Sequence, residues 1–448
     1  MRHLFYTTVC TLSLLTTVNA QEKHWSMTEC MEYAIENSPV VKQREYEADN
    51  YKASYMAATG AFLPGLGASV GNSFSFGRNV DPETNMMANQ SSYNNSYTVE
   101  TNLTLFRGGQ LVNQWKQAKV NRLLGKNNEQ LAKDELAMEV MDAYINVIFY
   151  KGMIKFASDK LVESNQNYYK TSRMEELGLK SVADLAQIEA QKAADDYNLT
   201  QYENMYNISM LTLKEKMSYP YEKELVIDTL LVDFDYLPAV ESVADIFEYA
   251  REYNPTAIQY DLQLKSYKYD YKIAKGNYFP SLSLYGSVGT GYTTIMSGAT
   301  EDSSSDSFRK QFSDKRGEYI SITFSIPLFN RFSYLTNTRK ARNHVRIAEA
   351  QQTDVLQQLQ GTIEKNVLDR EGYAKETIQL GKQVKANELA YQLVLRQYEE
   401  GLMSPIDVQT TSATLLESRA NLLQRKLMYI MKSKIVDYYK GVPFVENR

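Results

Sequence analysis

The chain repeats itself. Residues 29–66 align without a gap with 245–282, at an offset of 216 (249 − 33 for Tyr33 and Tyr249). Pro39/Pro255, Gln43/Gln259, Tyr55/Tyr271, Gly60/Gly276 and Pro64/Pro280 coincide in that register. From Leu105-Phe106, matched by Leu328-Phe329, the offset becomes 223 (328 − 105). Arg173/Arg396, Gly178/Gly401, Ser181/Ser404, Asp184/Asp407 and Met205-Tyr206/Met428-Tyr429 then coincide. A unit of about 190 residues is used twice, a period far longer than that of a solenoid. Two large copies in one chain imply pseudo-symmetry within one assembly.

Residues 1–20 read as a secretory signal. Arg2 supplies the positive start, an apolar stretch runs from about Leu4 to Val18, and Val18-Asn19-Ala20 ends on a small residue. The stretch is too short and Thr-rich for a membrane-crossing helix, and nothing later approaches one. Export follows, with no helix anchoring the chain in a membrane. Cys10 falls in the signal, which leaves Cys30 without an intrachain partner for a disulfide. Its expected place is half-buried in a helix. The net charge of −5 argues against nucleic acid as a partner. The 34 tyrosines suit strand surfaces and membrane interfaces, but they also run through the helical segments.

Each copy reads helix, strand, strand, long helix, tip, helix. Met27 to about Gly60 is helical with a break at Asn37-Ser38-Pro39, and Asn254-Pro255 repeats the break. The segment from Ser96 to Phe106 alternates Tyr97, Val99, Thr101, Leu103 and Leu105 against Ser96, Thr98, Glu100, Asn102 and Thr104. Ile320, Ile322, Phe324, Ile326 and Leu328 alternate with polar residues in the second copy. A period of two marks a half-apolar strand. Weaker, Gly-rich strands precede them, and polar loops, roughly Gly77–Asn95 and Gly289–Gly317, join the partners. Helices from Gln110 to about Leu177 and from Thr336 to about Glu400 would each reach roughly 95–100 Å. Tyr391, Leu395, Tyr398 and Leu402 step like a coiled-coil seam. Leu136 to Tyr150 is apolar on more than one face, which predicts packing on several sides.

The long helices end at Gly178-Leu179-Lys180-Ser181 and Gly401-Leu402-Met403-Ser404. Glycine ends a helix in the left-handed conformation, and serine can cap the next with an aspartate three residues on. Asp184 and Asp407 hold those positions. Return helices are expected from about Val182 to Met217 and Pro405 to Tyr439. The unit boundaries are then a signal over 1–20 and a first repeat over 21–219, with strands at about 62–77 and 93–106. A linker over 220–244 follows, containing a short strand or packed coil near Leu225–Val232. The second repeat covers 245–440, with strands at about 278–293 and 317–329, before a tail over 441–448.

Four strands cannot close a barrel, since about eight is the smallest number known, and open sheet edges cannot face lipid. If these strands cross a membrane, several chains share one barrel. Helices flank each strand pair, so all of them leave on the same side.

In this order, and doubled, the motifs resemble those of the TolC-like outer-membrane efflux family over essentially the whole mature chain. The resemblance rests on the Asn-Ser-Pro39 and Asn-Pro255 starts, Leu63-Pro64 and Phe279-Pro280 before the strands, Leu105-Phe106 and Pro327-Leu328-Phe329 after them, and the Gly-Leu-x-Ser tips. It implies a mainly α fold with membrane β: a homotrimer whose twelve-stranded barrel in the outer membrane continues into a periplasmic α-helical barrel. It implies an exit duct of a tripartite efflux or type I secretion system, docked to a periplasmic adaptor and an inner-membrane transporter. Adaptor contact carries over to Gly178, Leu179 and Ser181, and to Gly401, Leu402 and Ser404. The acidic entrance of relatives carries over to Asp184 and Asp407, where a triplicated ring would favour cations; both are also capping acids. Tyr398 matches a tyrosine of the entrance latch in some relatives. The basic residue they place two after the second glycine is Met403 here, while Lys180 holds that offset in the first copy. The closed state is therefore expected to rest on packing. A further acidic residue of some relatives is Thr410.

An enzyme is not expected: His24 and His344 sit in no metal or triad spacing, and no phosphate loop follows a strand. No cofactor or metal is expected. The competing reading is a soluble periplasmic coiled-coil adaptor or a structural envelope protein, but two hairpins and half-apolar strands fit neither.

Overall fold

The computed structural model describes residues 24–80, 85–228, 241–297 and 306–445. The expected signal, residues 229–240 of the linker and residues 446–448 of the tail lie outside them. The chain begins with β1 (His24–Trp25), α1 (Met27–Asn37), α2 (Pro39–Gly60), β2 (Gly65–Ser75), β3 (Arg78–Val80), β4 (Met87–Asn89), β5 (Ser91–Arg107), α3 (Gln110–Glu176), α4 (Val182–Met217) and β6 (Val226–Ile227). It continues with α5 (Val243–Tyr253), α6 (Pro255–Gly276), β7 (Ser281–Ser297), α7 (Phe308–Asp314), β8 (Gly317–Ser325), α8 (Ser333–Glu399) and α9 (Pro405–Tyr439). α1 and α5 both have 11 residues, α2 and α6 both have 22, and α3 and α8 both have 67. At 1.5 Å per residue the long helices reach about 100 Å.

Local chemistry explains the breaks. A residue before proline is pushed out of the helical region. Ser38 is extended (φ −67°, ψ 125°), and its hydroxyl accepts from the N–H groups of Val40 and Val41. Asn254 repeats the geometry and accepts from Thr256. Each residue ends one helix and caps the next.

The main core lies midway along α3. Val140, Met141 and Val147 are fully buried against α1, Leu213 and Met217 of α4, and Leu427 of α9. This is the multi-sided packing expected of Leu136 to Tyr150. Cys30 is not half-buried but fully enclosed in the same cluster. A small apolar side chain fills the narrow contact between α1 and α3. The short parallel pair β1–β6 caps this core, and the Tyr144 hydroxyl donates to the Asp228 carbonyl at 2.6 Å.

Four strands form one antiparallel sheet in the order β2-β5-β7-β8. Among the described residues the sheet is open, with β2 and β8 at its edges, and does not close into a barrel within one chain. Register partners share a face. Val70 pairs with Tyr97, Val99 with Val288, and Leu284 with Ile322. That apolar face is exposed at Leu66, Val70, Ile320 and Ile322, all above 60%. The opposite face carries Ser69, Glu100, Asn102, Ser283 and Ser321, and Tyr285 donates to Glu100 at 2.9 Å.

Several boundaries differ from the sequence expectation. Pro64 and Pro280 precede β2 and β7 as outsiders, because they lack the N–H a ladder needs. Pro327 likewise keeps β8 from reaching 329. The expected loops are shorter than read: β5 starts at Ser91 and β7 runs to Ser297, with a β3–β4 hairpin and α7 inside the connections. Serine, threonine and glycine dominate those strand extensions, so no apolar alternation marked them.

Both long helices start from a left-handed pair. Gly108 and Gly109 have φ of 56° and 72°; Arg331 and Phe332 have 42° and 62°. The offset of 223 (331 − 108) makes these the same turn in the two copies.

Candidate functional site: the paired hairpin tips

Both tips are built by local hydrogen bonds. The Leu179 N–H donates to the Met174 carbonyl, and the Gly178 N–H to Glu175, each at 2.8 Å. Leu402 donates to Gln397 at 2.8 Å and Gly401 to Tyr398 at 3.0 Å. These paired bonds satisfy the last carbonyls of the helices and require a left-handed residue, supplied by Gly178 (φ 74°) and Gly401 (φ 80°). Three residues after each glycine a serine caps the next helix with a complete capping box. The Ser181 hydroxyl accepts from the Asp184 N–H at 3.1 Å, while the Asp184 carboxylate accepts from the Ser181 N–H at 3.1 Å. Ser404 and Asp407 repeat it at 3.3 and 2.9 Å.

The caps hold both acids ionised. The Ser181 backbone N–H, then its hydroxyl, holds Asp184 below the usual carboxylate range. For Asp407 the Ser404 hydroxyl comes first and its N–H second. A folded pKa below the unfolded value of about 3.9 means the cap contributes fully above that value. The contribution is lost as pH falls through the lower folded value. At neutral pH each tip therefore carries a fixed negative charge.

The leucines between turn and cap have nothing over them: Leu179 is 70% exposed and Leu402 71%. Leu177, Val182 and Ile406 are also exposed. Leu402 does not continue the seam of Tyr391, Leu395 and Tyr398, because the helix stops at Glu399.

Tyr398 sits apart from these exposed groups. It is buried in a cluster with Ile188, Tyr391, Val408 and Leu415, and its hydroxyl shares a hydrogen bond with Thr171 of α3 at 2.9 Å. Burial pushes its pKa up, so it stays neutral. Lys180 of the first tip lies 4.3 Å from its ring centroid and donates to its carbonyl at 3.5 Å. Lys170 pairs with Glu399 at 2.7 Å beside it. Deeper along the hairpins, Lys160 donates to the Tyr391 hydroxyl at 3.2 Å and covers its ring at 4.9 Å. Within the chain, polar and cation–ring contacts join apolar packing in holding the two hairpins together. Lys180, at the offset that Met403 holds in the second copy, stands as a cation over an aromatic ring, a contact worth about 0.5–2 kcal/mol. Sequence reading identified Lys180 and Tyr398 separately; Thr171, Lys160 and Tyr391 as ties between hairpins carried no motif.

The profile of the outer membrane efflux protein family matches residues 31–217 and again residues 247–432. No curated protein sequence matches the chain. Solved structures of similar fold include the outer membrane protein VceC of Vibrio cholerae, at 14% identity over 93% of this chain and 96% of that one, with a TM-score of 0.79. The CmeC outer membrane channel of Campylobacter jejuni matches at 15% identity over 94% and 87%, TM-score 0.78. The open state of the MtrE outer membrane channel of Neisseria gonorrhoeae matches at 17% identity over 94% and 89%, TM-score 0.73.

Proposed function

Because the chain belongs to the outer membrane efflux protein family, we propose that it is an outer-membrane exit duct, passing substrates delivered by an inner-membrane transporter and a periplasmic adaptor to the outside. The observation that carries this reading is the open sheet with one uncovered apolar face, joined to helices of about 100 Å that all leave from one end. An exposed apolar face suits lipid, and unpaired edges at β2 and β8 cannot stand in lipid alone. Edge β8 of one copy pairing with β2 of the next closes a ring. Three copies give twelve strands, with Glu100, Tyr285 and the serine-rich face lining the lumen. In such a trimer Leu179 and Leu402 present an apolar rim at the far helical end for an adaptor. Asp184 and Asp407 set a negative ring just behind it, and Tyr398 with Lys180 holds neighbouring hairpins together at the entrance. Repeat boundaries at 21–219 and 245–440 go with this reading, as does removal of residues 1–20 on export.

The mass of the detergent-extracted protein, by light scattering corrected for bound detergent, tests it. With 51.3 kDa per chain, a closed cyclic trimer carries roughly 150 kDa. A monomer recovered from the periplasm would overturn the shared barrel. Opening in this reading needs the tips to move apart. Cysteines at Asp184 and Asp407 of adjacent protomers, once oxidised, are expected to stop export and to restore it on reduction. Normal export with complete crosslinking would exclude tip separation as the gate.

A further inference from the structure

Helix α7 breaks the connection between β7 and β8 and packs on the apolar face of the sheet. Tyr97 and Thr290 are register partners, so they share a face, which continues through Val99 and Val288. The Phe312 ring lies 5.5 Å from Tyr97, and the Phe308 ring 5.4 Å from Tyr292, two residues beyond Thr290. The Thr290 hydroxyl donates to the Phe312 carbonyl at 2.6 Å. A further contact secures the helix. Strand β8 pairs with β7 only as far as Gly289, which leaves the rest of that β7 edge without a strand among the described residues. The buried Gln311 amide takes its place: it accepts from the Thr293 N–H at 3.0 Å and donates to the Thr293 carbonyl at 2.9 Å. A primary amide has the donor and acceptor of a peptide group, so it closes one rung of an open edge.

Seated this way, Phe308 and Phe312 remain 47% and 41% exposed. They stand on the same side of the sheet as Val70, Val99 and Ile320, at its loop end. Between Asp306 and Glu318 the segment carries Arg309, Lys310, Lys315 and Arg316 against Asp306, Asp314 and Glu318, a balance of +1 (4 − 3). Aromatic rings with long basic side chains suit the boundary between acyl chains and headgroups, where rings bury and charged ends reach phosphate. We propose that α7 is an interfacial anchor, with Phe308 and Phe312 in contact with outer-leaflet lipid at the headgroup boundary. The proposal rests on the reading that the apolar face of the sheet meets the outer membrane. Continuity of the aromatic pair with that face selects lipid as the occupant over a second copy of the chain.

Single-tryptophan reporters test it in the full-length protein. Trp25→Phe and Trp115→Phe remove the native indoles; Phe308→Trp then reports on α7 and Ile322→Trp on the middle of β8. Each is reconstituted into phosphatidylcholine vesicles carrying bromine either near the headgroup or near the chain end. The expected result is loss of Phe308→Trp emission chiefly to headgroup-proximal bromine, and of Ile322→Trp emission chiefly to chain-end bromine. Quenching of Phe308→Trp by aqueous iodide instead, with Ile322→Trp still quenched by bromine, overturns the anchor and leaves the barrel standing. No quenching of Phe308→Trp by either agent also overturns it, because the ring is then covered by protein. Failure of bromine to reach either reporter overturns the barrel reading itself. Phe312→Trp serves if Phe308→Trp does not fold.

Discussion

Replacing Gly108 by alanine is expected to leave little or no folded protein, whereas alanine at the adjacent Gly109 is tolerated. Both glycines are left-handed, and a side chain there costs about 1–2 kcal/mol. That cost is survivable, since Arg331 and Phe332 adopt the same conformation in the second copy. What separates the two sites is space. A Cβ on Gly108 would stand 2.1 Å from the Gly276 carbonyl oxygen and 2.9 Å from the Phe279 Cβ, while one on Gly109 meets nothing closer than the Asn113 amide at 3.8 Å. The obstacle at Gly108 is backbone at the end of α6, so relief requires the strand-to-helix junction to move. The loss should be roughly 4 kcal/mol or more, in the range that marks core overlap. Thermal unfolding and the yield of folded protein check it. Equal stability of the two variants would show that the junction between the sheet and the long helices is looser than its geometry implies.

The double variant Leu179→Asp, Leu402→Asp is expected to abolish export while leaving folding and assembly intact. Both side chains are mostly exposed, so their replacement changes folding by no more than about 0.5 kcal/mol. Neither leucine takes part in the capping bonds or the paired turn bonds except through its backbone, which the substitution preserves. If a partner buries them, each is worth about 1.5–3 kcal/mol of contact, and a charge left in the same place adds a desolvation cost. Every 1.4 kcal/mol is tenfold in affinity, so each tip loses roughly tenfold or more, and the proposed trimer would present six of them. Survival of a deletion strain carrying the variant, on a panel of dyes, detergents and metal salts, reads the effect, and light scattering of the purified protein controls for assembly. Full survival with the double variant would mean the partner grips elsewhere on the helices.

Much of this architecture was legible because it is written in local chemistry. Ser38-Pro39 and Asn254-Pro255 stop one helix and start another through bonds within three residues. The tips are complete from Met174 to Asp184 and from Gln397 to Asp407, all within one short segment of chain. The ends of α4 and α9 agree with the reading for that reason. Strand starts such as Ser91 were missed because serine and asparagine rows carry no alternation. Helix α7 was missed because seven polar-flanked residues are too few to show a period.

The duplication, the two 67-residue helices, the half-apolar strands and the charged, capped tips were determined by the sequence itself, through periodicity and short-range hydrogen bonding. Only the tertiary structure decided that Lys180 covers Tyr398, 218 residues away, that Gly108 lies against Gly276, and that α7 turns its phenylalanines onto the apolar face. Those contacts join segments whose separation along the chain is set by packing of whole elements. No pattern of neighbouring residues encodes which side chains such packing will bring together.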